Sequence, residues 1–573
     1  MQISIVFIRK LPFFLSLLLV LSAAVLTLQA EPCNCETTPV YQAAGQGAER
    51  LDPGREITVQ GVVTAAFLGD CGLDGFFIQG KKNAPDDLPS GLFIYAPGLK
   101  KQEKKAVQKG RELRILGKTG IYRGRPQLEE ISSISIQGSR KTEAVKVKMP
   151  LSNPRRLEGV KVTFQHGFTV TDNYQLRKYG SLELCAMRRA FQPSNFFPGD
   201  GPKNPECKEK RIILDDGCYR RNPDSIPYLN TRNTRRVGTR VKKGLTGILT
   251  HSFDSWRIHP TKDPEFINTN PRPEELPKPD SDNVRLAVLN MHSYFLTLGE
   301  RGAKNRQELG RQQNKLLAAV ENLHPDILLL LEMENKDKVP GNFLQHLKKK
   351  SGKPWRLVRS ENAEDNVIRI SMAYRSDRIE QTQSGKRDFS SVHGRPPLIA
   401  AFKPRKGKEQ FAVAGAHFKS KSDCPKNGDT DTGQGCWNQK RAEQARALLE
   451  FIQNWREEHN TVPALIAGDL NAYGAEDPVQ VLTQNNRKDL LAEYVPWEKR
   501  YTYIYSGQSG YLDHLIAYPG LAGKISDVYT YPINADEPRF LEYNKKGPEN
   551  PYPDNSPYRC SDHDPLAVDL LVR

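Results

Sequence analysis

The chain has 573 residues, which at roughly 150 per structural unit allows three to four units and excludes a peptide or a single small module. With 38% hydrophobic and 26% charged residues, 43 Gly and 40 Pro, it reads as a folded, loop-rich protein and not as a disordered or fibrous one. Its net charge of +17 is concentrated, because residues 101–250 hold 32 Lys and Arg against 14 Asp and Glu, whereas residues 1–100 and 251–573 stand at −2 and +1.

Residues 1–30 place Arg9 and Lys10 before an apolar run from Leu11 to Leu28, followed by small residues up to Ala30. This is the layout of a secretory signal peptide, with an uncleaved N-terminal anchor as the alternative. Once it is cleaved, no membrane association is expected, and the mature chain would be secreted or periplasmic. Nine cysteines suit such an oxidising compartment, and the odd number leaves at least one without an intrachain partner. Cys424 and Cys436 are the best local pair, closing a polar loop whose disulfide gains about 3 kcal/mol in the chain-entropy treatment. Zinc ligation is disfavoured, since no CxxC is followed by a second such pair.

Residues 56–136 read as five short strands with Gly-rich corners: REITVQGVVTAAF, GLDGFFIQ, SGLFIYAPG and RELRILGKTGIYRGRPQLEEISSISI. This stretch resembles the oligonucleotide/oligosaccharide-binding barrel found ahead of bacterial secreted nucleases, so 35–140 is expected to be an OB-fold-like nucleic-acid-binding domain. A second β-rich, basic domain is expected at 145–270. Its cations alternate with aromatics at Phe164, Phe168, Tyr174, Tyr179, Phe191, Phe196, Phe197 and Tyr219, a pattern that suits either a core or a stacking surface for single strands. A cationic field of this kind gathers polyanions such as nucleic acid, acidic polysaccharide or anionic lipid. The Pro-rich charged stretch 271–283 is expected to be a linker.

From Val284 the pattern changes to strands alternating with helices. About eight strands with few helices predict an α/β domain over 284–573, with two packed sheets and helices outside. Each apolar strand stops at a residue able to bind metal, move a proton or orient phosphate: Asn290, Glu332, His417, Asp469 with Asn471, Asp513 with His514, and Asp562 with His563. Taken singly, such residues are usually turn or capping groups. Taken jointly they are harder to assign that way, because gathering carboxylates without a compensating cation or proton is costly.

The strings LNMHSYF, LLLLEMEN, AGAHFKSK, AGDLNAYG, YLDHLIAY and CSDHDP resemble the endonuclease/exonuclease/phosphatase superfamily that includes pancreatic deoxyribonuclease I. GERGAKNRQE, GRPPL, GDTDTGQGCWN and RYTYIYSGQSGYLDHL are similar to the ExeM/NucH family of bacterial extracellular endonucleases. The resemblance implies a four-layer α/β/β/α sandwich catalytic domain preceded by OB-fold-like β-barrel domains, and a metal-dependent phosphodiesterase acting on DNA, with RNA left open as a second substrate. It implies Glu332 as ligand of Mg²⁺ or Mn²⁺, with Asn290 nearby, Asp562 as a further metal residue and Glu334 in reserve. His563 would be general base or charge stabiliser, oriented by Asp513; His417 would donate to phosphate or leaving group; Asp469 and Asn471 would orient water and phosphate. Arg395 would contact phosphate, ahead of Arg375 and Arg441. Asn366 stands where many relatives carry an acid beside the residue matching His417, and Asp365 is adjacent. Asp429 and Asp431 are spaced as in calcium loops, which makes Ca²⁺ a further candidate ion.

Two other readings remain open from sequence: a phosphoesterase of the same fold acting on phospholipid or small phosphoesters, and a noncatalytic exported DNA-binding protein. The motifs do not separate endonuclease from exonuclease cleavage.

Overall fold

The computed structural model describes residues 36–45, 51–80, 90–186, 188–196, 205–223, 225, 228–229, 234–360, 366–544 and 555–572. The N-terminal apolar segment, Cys33, Cys35, Phe197 and Asp365 lie outside the described residues.

In the C-terminal half, strand side chains are apolar on both faces, and successive residues enter different cores. Leu286, Val288, Leu329 and Leu331 meet Ala400, Phe402, Val413 and Leu465 between two sheets. Their neighbours Ala287, Leu289, Leu328 and Leu330 face outward onto Leu316, Val320, Phe343 and Leu347 of the helices Arg306–Leu323 and Lys338–Ser351. On the other sheet, Ile399, Ala414 and Ile466 face Ala445, Leu448, Ile452 and Trp455 of the helix Asn438–Glu458. A strand buried on both faces with period-two alternation therefore dictates four layers, helix, sheet, sheet, helix.

Each sheet has six strands. One runs Trp355–Leu357, Ile368–Arg375, Ile327–Glu334, Asn283–Tyr294, Leu566–Leu571 and Ile525–Thr530. The other runs Ile379–Arg387, Leu398–Pro404, Phe411–His417, Ala464–Asp469, Asp513–Ala517 and Lys488–Asp489. The strands beyond the expected eight are mostly short or polar, such as IEQTQSGKR, and carry no apolar signature. Helix Arg306–Leu323 starts where Asn305 accepts from the Glu308 backbone N–H at 2.9 Å, while the Lys304 N–H donates to the Glu308 carboxylate at 2.8 Å.

Upstream, Glu56–Phe67, Gly75–Gln79, Gly91–Tyr95, Arg125–Ser139 and Arg111–Tyr122 pair in that order, and the last pairs again with the first. The ring closes a five-stranded barrel around Val59, Phe76, Ile78, Ile94, Leu113 and Ile115. The next unit is a nine-stranded sheet spanning Val145–Val147 to Phe266–Ile267. Cys71 of the barrel lies at disulfide distance from Cys218 beside this sheet. At the same junction Gly91 packs on Gly159, whose φ is +76°; a Cβ on Gly91 would collide with the Gly159 carbonyl carbon, so the contact requires glycine.

The nine-stranded sheet is in turn joined to the sandwich. Phe540 and Leu541, from the loop before the last sandwich strand, enter its hydrophobic core. In the same loop Asp536 receives Arg189 at 2.7 Å and Arg236 at 3.3 Å, and Glu537 is paired with Arg236 and, at 2.6 Å, with Arg272. Segment 271–283 lies against the sandwich: Leu276 is buried and its N–H donates to Asn322 O at 2.9 Å, while Tyr531 donates to Glu274 O at 2.6 Å. Besides Cys71 with Cys218, the pairs Cys185 with Cys207 and Cys424 with Cys436 lie at disulfide distance; Cys560 is buried and free. Among the described residues no helix is long and apolar enough to cross a membrane.

Candidate active site

Strand register places the polar strand ends side by side. In the second sheet His417 is the cross-strand partner of Asp469, and Asp469 that of Asp513. These three residues and His563 are each at most 8% exposed. His563 Nδ1 lies 2.8 Å from Asp513 Oδ2, its Nε2 lies 4.0 Å from Asp469 Oδ2, and His417 Nε2 lies 3.4 Å from the same Asp469 oxygen. Each carboxylate is held from behind. Asp469 Oδ1 accepts the Asn471 backbone N–H at 2.8 Å, and Asp513 Oδ2 accepts the Thr502 hydroxyl at 2.7 Å. Asn471 itself has a φ of +47° and donates to Phe418 O at 3.1 Å.

The first sheet contributes Asn290 and Glu332 from adjacent parallel strands, at register breaks in both. Glu332 has a φ of +60°, and His292 and Ser293 have φ of +50° and +55°. Backbone strain of this sort inside strands survives only where neighbours over-determine it, and it collects at functional sites. Glu332 Oε2 accepts the Ser293 N–H at 3.1 Å, and Asn290 Oδ1 accepts the His292 N–H at 2.9 Å. Asn290 Nδ2 is buried without a hydrogen-bond partner among the described residues. His292 Nδ1 lies 3.0 Å from Asp562 Oδ1. Arg395 Nε donates to His417 O at 3.1 Å and its Nη2 to Phe418 O, and the charges of both Asp469 and Glu332 act on it.

The electrostatics separate the two histidines. Burial would lower the pKa of His563, but the charges of Asp513 and Asp469 outweigh it and hold the imidazolium well above the ordinary histidine value. Burial pushes His417 well below that value, and the positive charges of Arg395 and His563 push the same way. Burial also raises Asp469 to about 7, against the opposing pull of His563. Asp562 is the reverse: despite burial, His292 holds its carboxyl well below the usual range.

Asp469, Asp513 and His563 also present ligand atoms within 4.8 Å of one another, close enough to surround a cation. The short His563 to Asp513 contact makes a hydrogen-bonded dyad the simpler description of that pair.

Several sequence candidates are engaged elsewhere. Glu334 accepts the Leu296 and Thr297 N–H groups at 2.8 and 3.1 Å and pairs with Lys336 at 2.6 Å. Arg375 pairs with Asp326 and Asp377, and Arg441 donates to Cys436 O at 2.7 Å. His514 is fully buried against Ala472 O at 2.8 Å. Asp429 accepts the Gln439 and Lys440 N–H groups at the start of a helix, and Asp431 those of Gly433 and Gly435. Asn366 is half-buried, and His417 Nδ1 has no hydrogen-bond partner among the described residues.

Sequence reasoning missed His292, Thr502 and Tyr503, whose ring lies 4.7 Å from that of His563. The string N-x-H at a strand end was the one available signal for His292; Thr502 and Tyr503, at the start of the short strand Tyr503–Tyr505, lie within the quoted string RYTYIYSGQSGYLDHL but end no apolar strand.

Residues 289–563 match the Endonuclease/Exonuclease/phosphatase family. The C-terminal half thus carries a domain of that superfamily, whose members are hydrolases of phosphoester bonds and typically depend on a divalent metal. Among solved structures, the human Nocturnin catalytic domain is similar at 16% identity over 50% of this chain and 92% of its own, with a TM-score of 0.33. An endonuclease/exonuclease/phosphatase from Bacteroides vulgatus is similar at 16% identity over 51% of this chain and 99% of its own, with a TM-score of 0.34. A mannosyl-6-phosphatase from Bacteroides thetaiotaomicron gives 14%, 50%, 99% and 0.35 for the same quantities. No curated protein matches the chain.

Proposed function

We propose that the chain is an exported, divalent-metal-dependent endonuclease of the ExeM/NucH kind that hydrolyses phosphodiester bonds of DNA. The observation that carries this reading is the convergence of His417, Asp469, Asp513 and His563 at one end of the sandwich, with Arg395 linking them electrostatically to Glu332. Three cysteine pairs at disulfide distance support export to an oxidising compartment.

Glu332 and Asn290 are the residues that would hold Mg²⁺ or Mn²⁺. A carboxylate and an amide oxygen form a hard donor set, and the unpartnered Asn290 Nδ2 is free to donate to a phosphate oxygen beside it. Bound there, the ion supplies charge neutralisation on the phosphate. Asp562 is a further residue for that ion, and its Oδ1 also lies 3.0 Å from His292 Nδ1.

The remaining steps belong to the buried cluster. His563, kept protonated by Asp513, donates through Nε2 to a nonbridging oxygen and stabilises the charge that grows there. Asp469, ionised at and above about pH 7, orients water in line with the leaving oxygen and accepts its proton, with Asn471 bracing it. His417 acts as a neutral imidazole hydrogen bond donor, and Arg395 pairs with the phosphate.

Incubation of the oxidised full chain with supercoiled plasmid and Mg²⁺ should give nicked and linear forms, and chelator should abolish them. An intact plasmid with Mg²⁺ or Mn²⁺ present would remove the reading in favour of a small-phosphoester hydrolase or a noncatalytic binder.

A further inference from the structure

The cleft beside the hydrolytic cluster continues away from it. One cavity of about 530 Å³ has His292, Asp562 and Tyr503 on its wall together with Tyr174, Tyr505 and Arg539. A second, of about 600 Å³, lies between the barrel and the nine-stranded sheet and is lined by Tyr122, Arg123, Tyr219 and Phe253. Gln175 lines both, so the two are neighbours.

Aromatic exposure is concentrated along this route. Of the eight exposed Phe and Tyr rings among the described residues, five line the two cavities: Tyr174, Tyr505, Tyr219, Phe253 and Tyr122. Phe253 is 72% exposed at the tip of a turn, an expensive place for a benzyl group that packs on little protein. Cations sit on these rings. Arg123 lies 5.4 Å from the Tyr122 ring and 4.9 Å from Phe253, Arg257 lies 5.4 Å from Phe253, and Arg539 lies 4.9 Å from Tyr174. Three of the wall acids are paired with arginines, Asp215 with Arg257 at 2.6 Å, Glu537 with Arg272 at 2.6 Å, and Glu542 with Arg559 at 3.1 Å and Arg539 at 3.2 Å, while Asp562 faces His292 at 3.0 Å. The outer cavity is therefore net positive, with Arg123, Arg125 and Arg257 against Asp215, whereas the inner one sets Arg539 and Arg559 against Asp172, Glu537, Glu542 and Asp562.

We propose that the two cavities form one track for single-stranded nucleic acid, leading from the hydrolytic site to the barrel. Unpaired bases stack on Tyr505 and Tyr174 near the site and on Tyr219, Phe253 and Tyr122 farther out, while Arg123 and Arg539 meet backbone phosphates. A duplex hides its base faces and gains nothing from exposed rings, which is why the track selects single strands. This assignment rests on the reading of the site as a nuclease, and it deepens that reading: duplex reaches the hydrolytic site without help from the rings, whereas a single strand gains the added hold of the track.

The test measures binding apart from turnover. In chelator, the full chain is titrated into a labelled oligothymidylate of about 20 nucleotides and, separately, a duplex of equal length. Tyr122→Ala with Phe253→Ala should weaken single-strand binding at least about tenfold and duplex binding less than about twofold. Hydrolysis of bis(p-nitrophenyl) phosphate with Mg²⁺ should be unchanged, because neither ring touches the hydrolytic cluster. If the double variant melts lower than the parent, Arg123→Ala replaces it and should flatten the salt dependence of single-strand binding. Unchanged single-strand affinity, or equal losses for single strand, duplex and an acidic polysaccharide, would overturn the track. Because binding is read without cleavage, failure of the nuclease reading would appear only in the hydrolysis arms.

Discussion

In the sandwich, the charged groups that matter are buried at strand ends and tied to one another, as in the His417, Asp469, Asp513 and His563 cluster. In residues 101–250 much of the cationic excess faces solvent, for example Lys101, Lys104, Lys105, Lys109, Lys242 and Lys243. The first arrangement fixes protonation states and geometry, which chemistry needs; the second produces a field that gathers a polyanion without fixing it. The two regions meet at Asp536 and Glu537, where three arginines from the basic region or its edge clamp the loop leading into the strand-end segment of His563. The β-rich region is therefore built into the wall of the cleft, a closer relation than that of a tethered accessory.

The comparison can be broken first at the buried cluster. Asp469→Asn removes the carboxylate shared by both histidines and should lower kcat by about 10³-fold or more in a plasmid or bis(p-nitrophenyl) phosphate assay, with the fold retained by circular dichroism. A loss below tenfold would mean that the chemistry lies elsewhere.

The junction is the next place to press. Arg236→Met leaves Glu537 and Asp536 buried with one cation fewer, and should cost about 3–5 kcal/mol of stability in a denaturation curve. If the melt also resolves into two transitions, the β-rich region and the sandwich have uncoupled; a change below about 1 kcal/mol would show that Arg189 and Arg272 suffice.

A smaller effect concerns pH. Parent activity should rise as Asp469 ionises around pH 7 and fall again at higher pH as His563 loses its proton. Asp513→Asn removes an anion that holds the imidazolium, so the His563 pKa drops and the alkaline limb of kcat/KM should move down by about one unit or more, equivalent to ~1.4 kcal/mol per unit. An unmoved limb would take His563 out of the role of charged donor.

The sandwich was legible because both faces of its central strands are apolar and each strand ends abruptly in a polar residue. Strand pairing then brought together residues as distant in sequence as His417 and Asp513, on either side of Asp469. The edge strands were not legible, since IEQTQSGKR is polar and its pairing is decided by its neighbours. Charge was misleading in detail: Arg236, one of the 32 cations of residues 101–250, is 3% exposed and neutralised by Glu537. Aromatics were legible in part. Phe164, Phe168 and Phe191 are buried, Tyr174 and Tyr219 are exposed and line the cavities, and the exposed rings of Tyr122, at a strand end, and Phe253, in a turn, lie where the sequence gives no hint of a groove. Packing across units decides these cases, and single-segment patterns do not contain it.

The central claim is that the strand-end cluster cuts phosphodiester bonds within a nucleic acid chain. The most direct measurement sets circular plasmid DNA beside a phosphomonoester at equal concentrations of oxidised protein and Mg²⁺. The account predicts nicked circles with no release of inorganic phosphate from the monoester; phosphate release from the monoester with the circles left intact would contradict it.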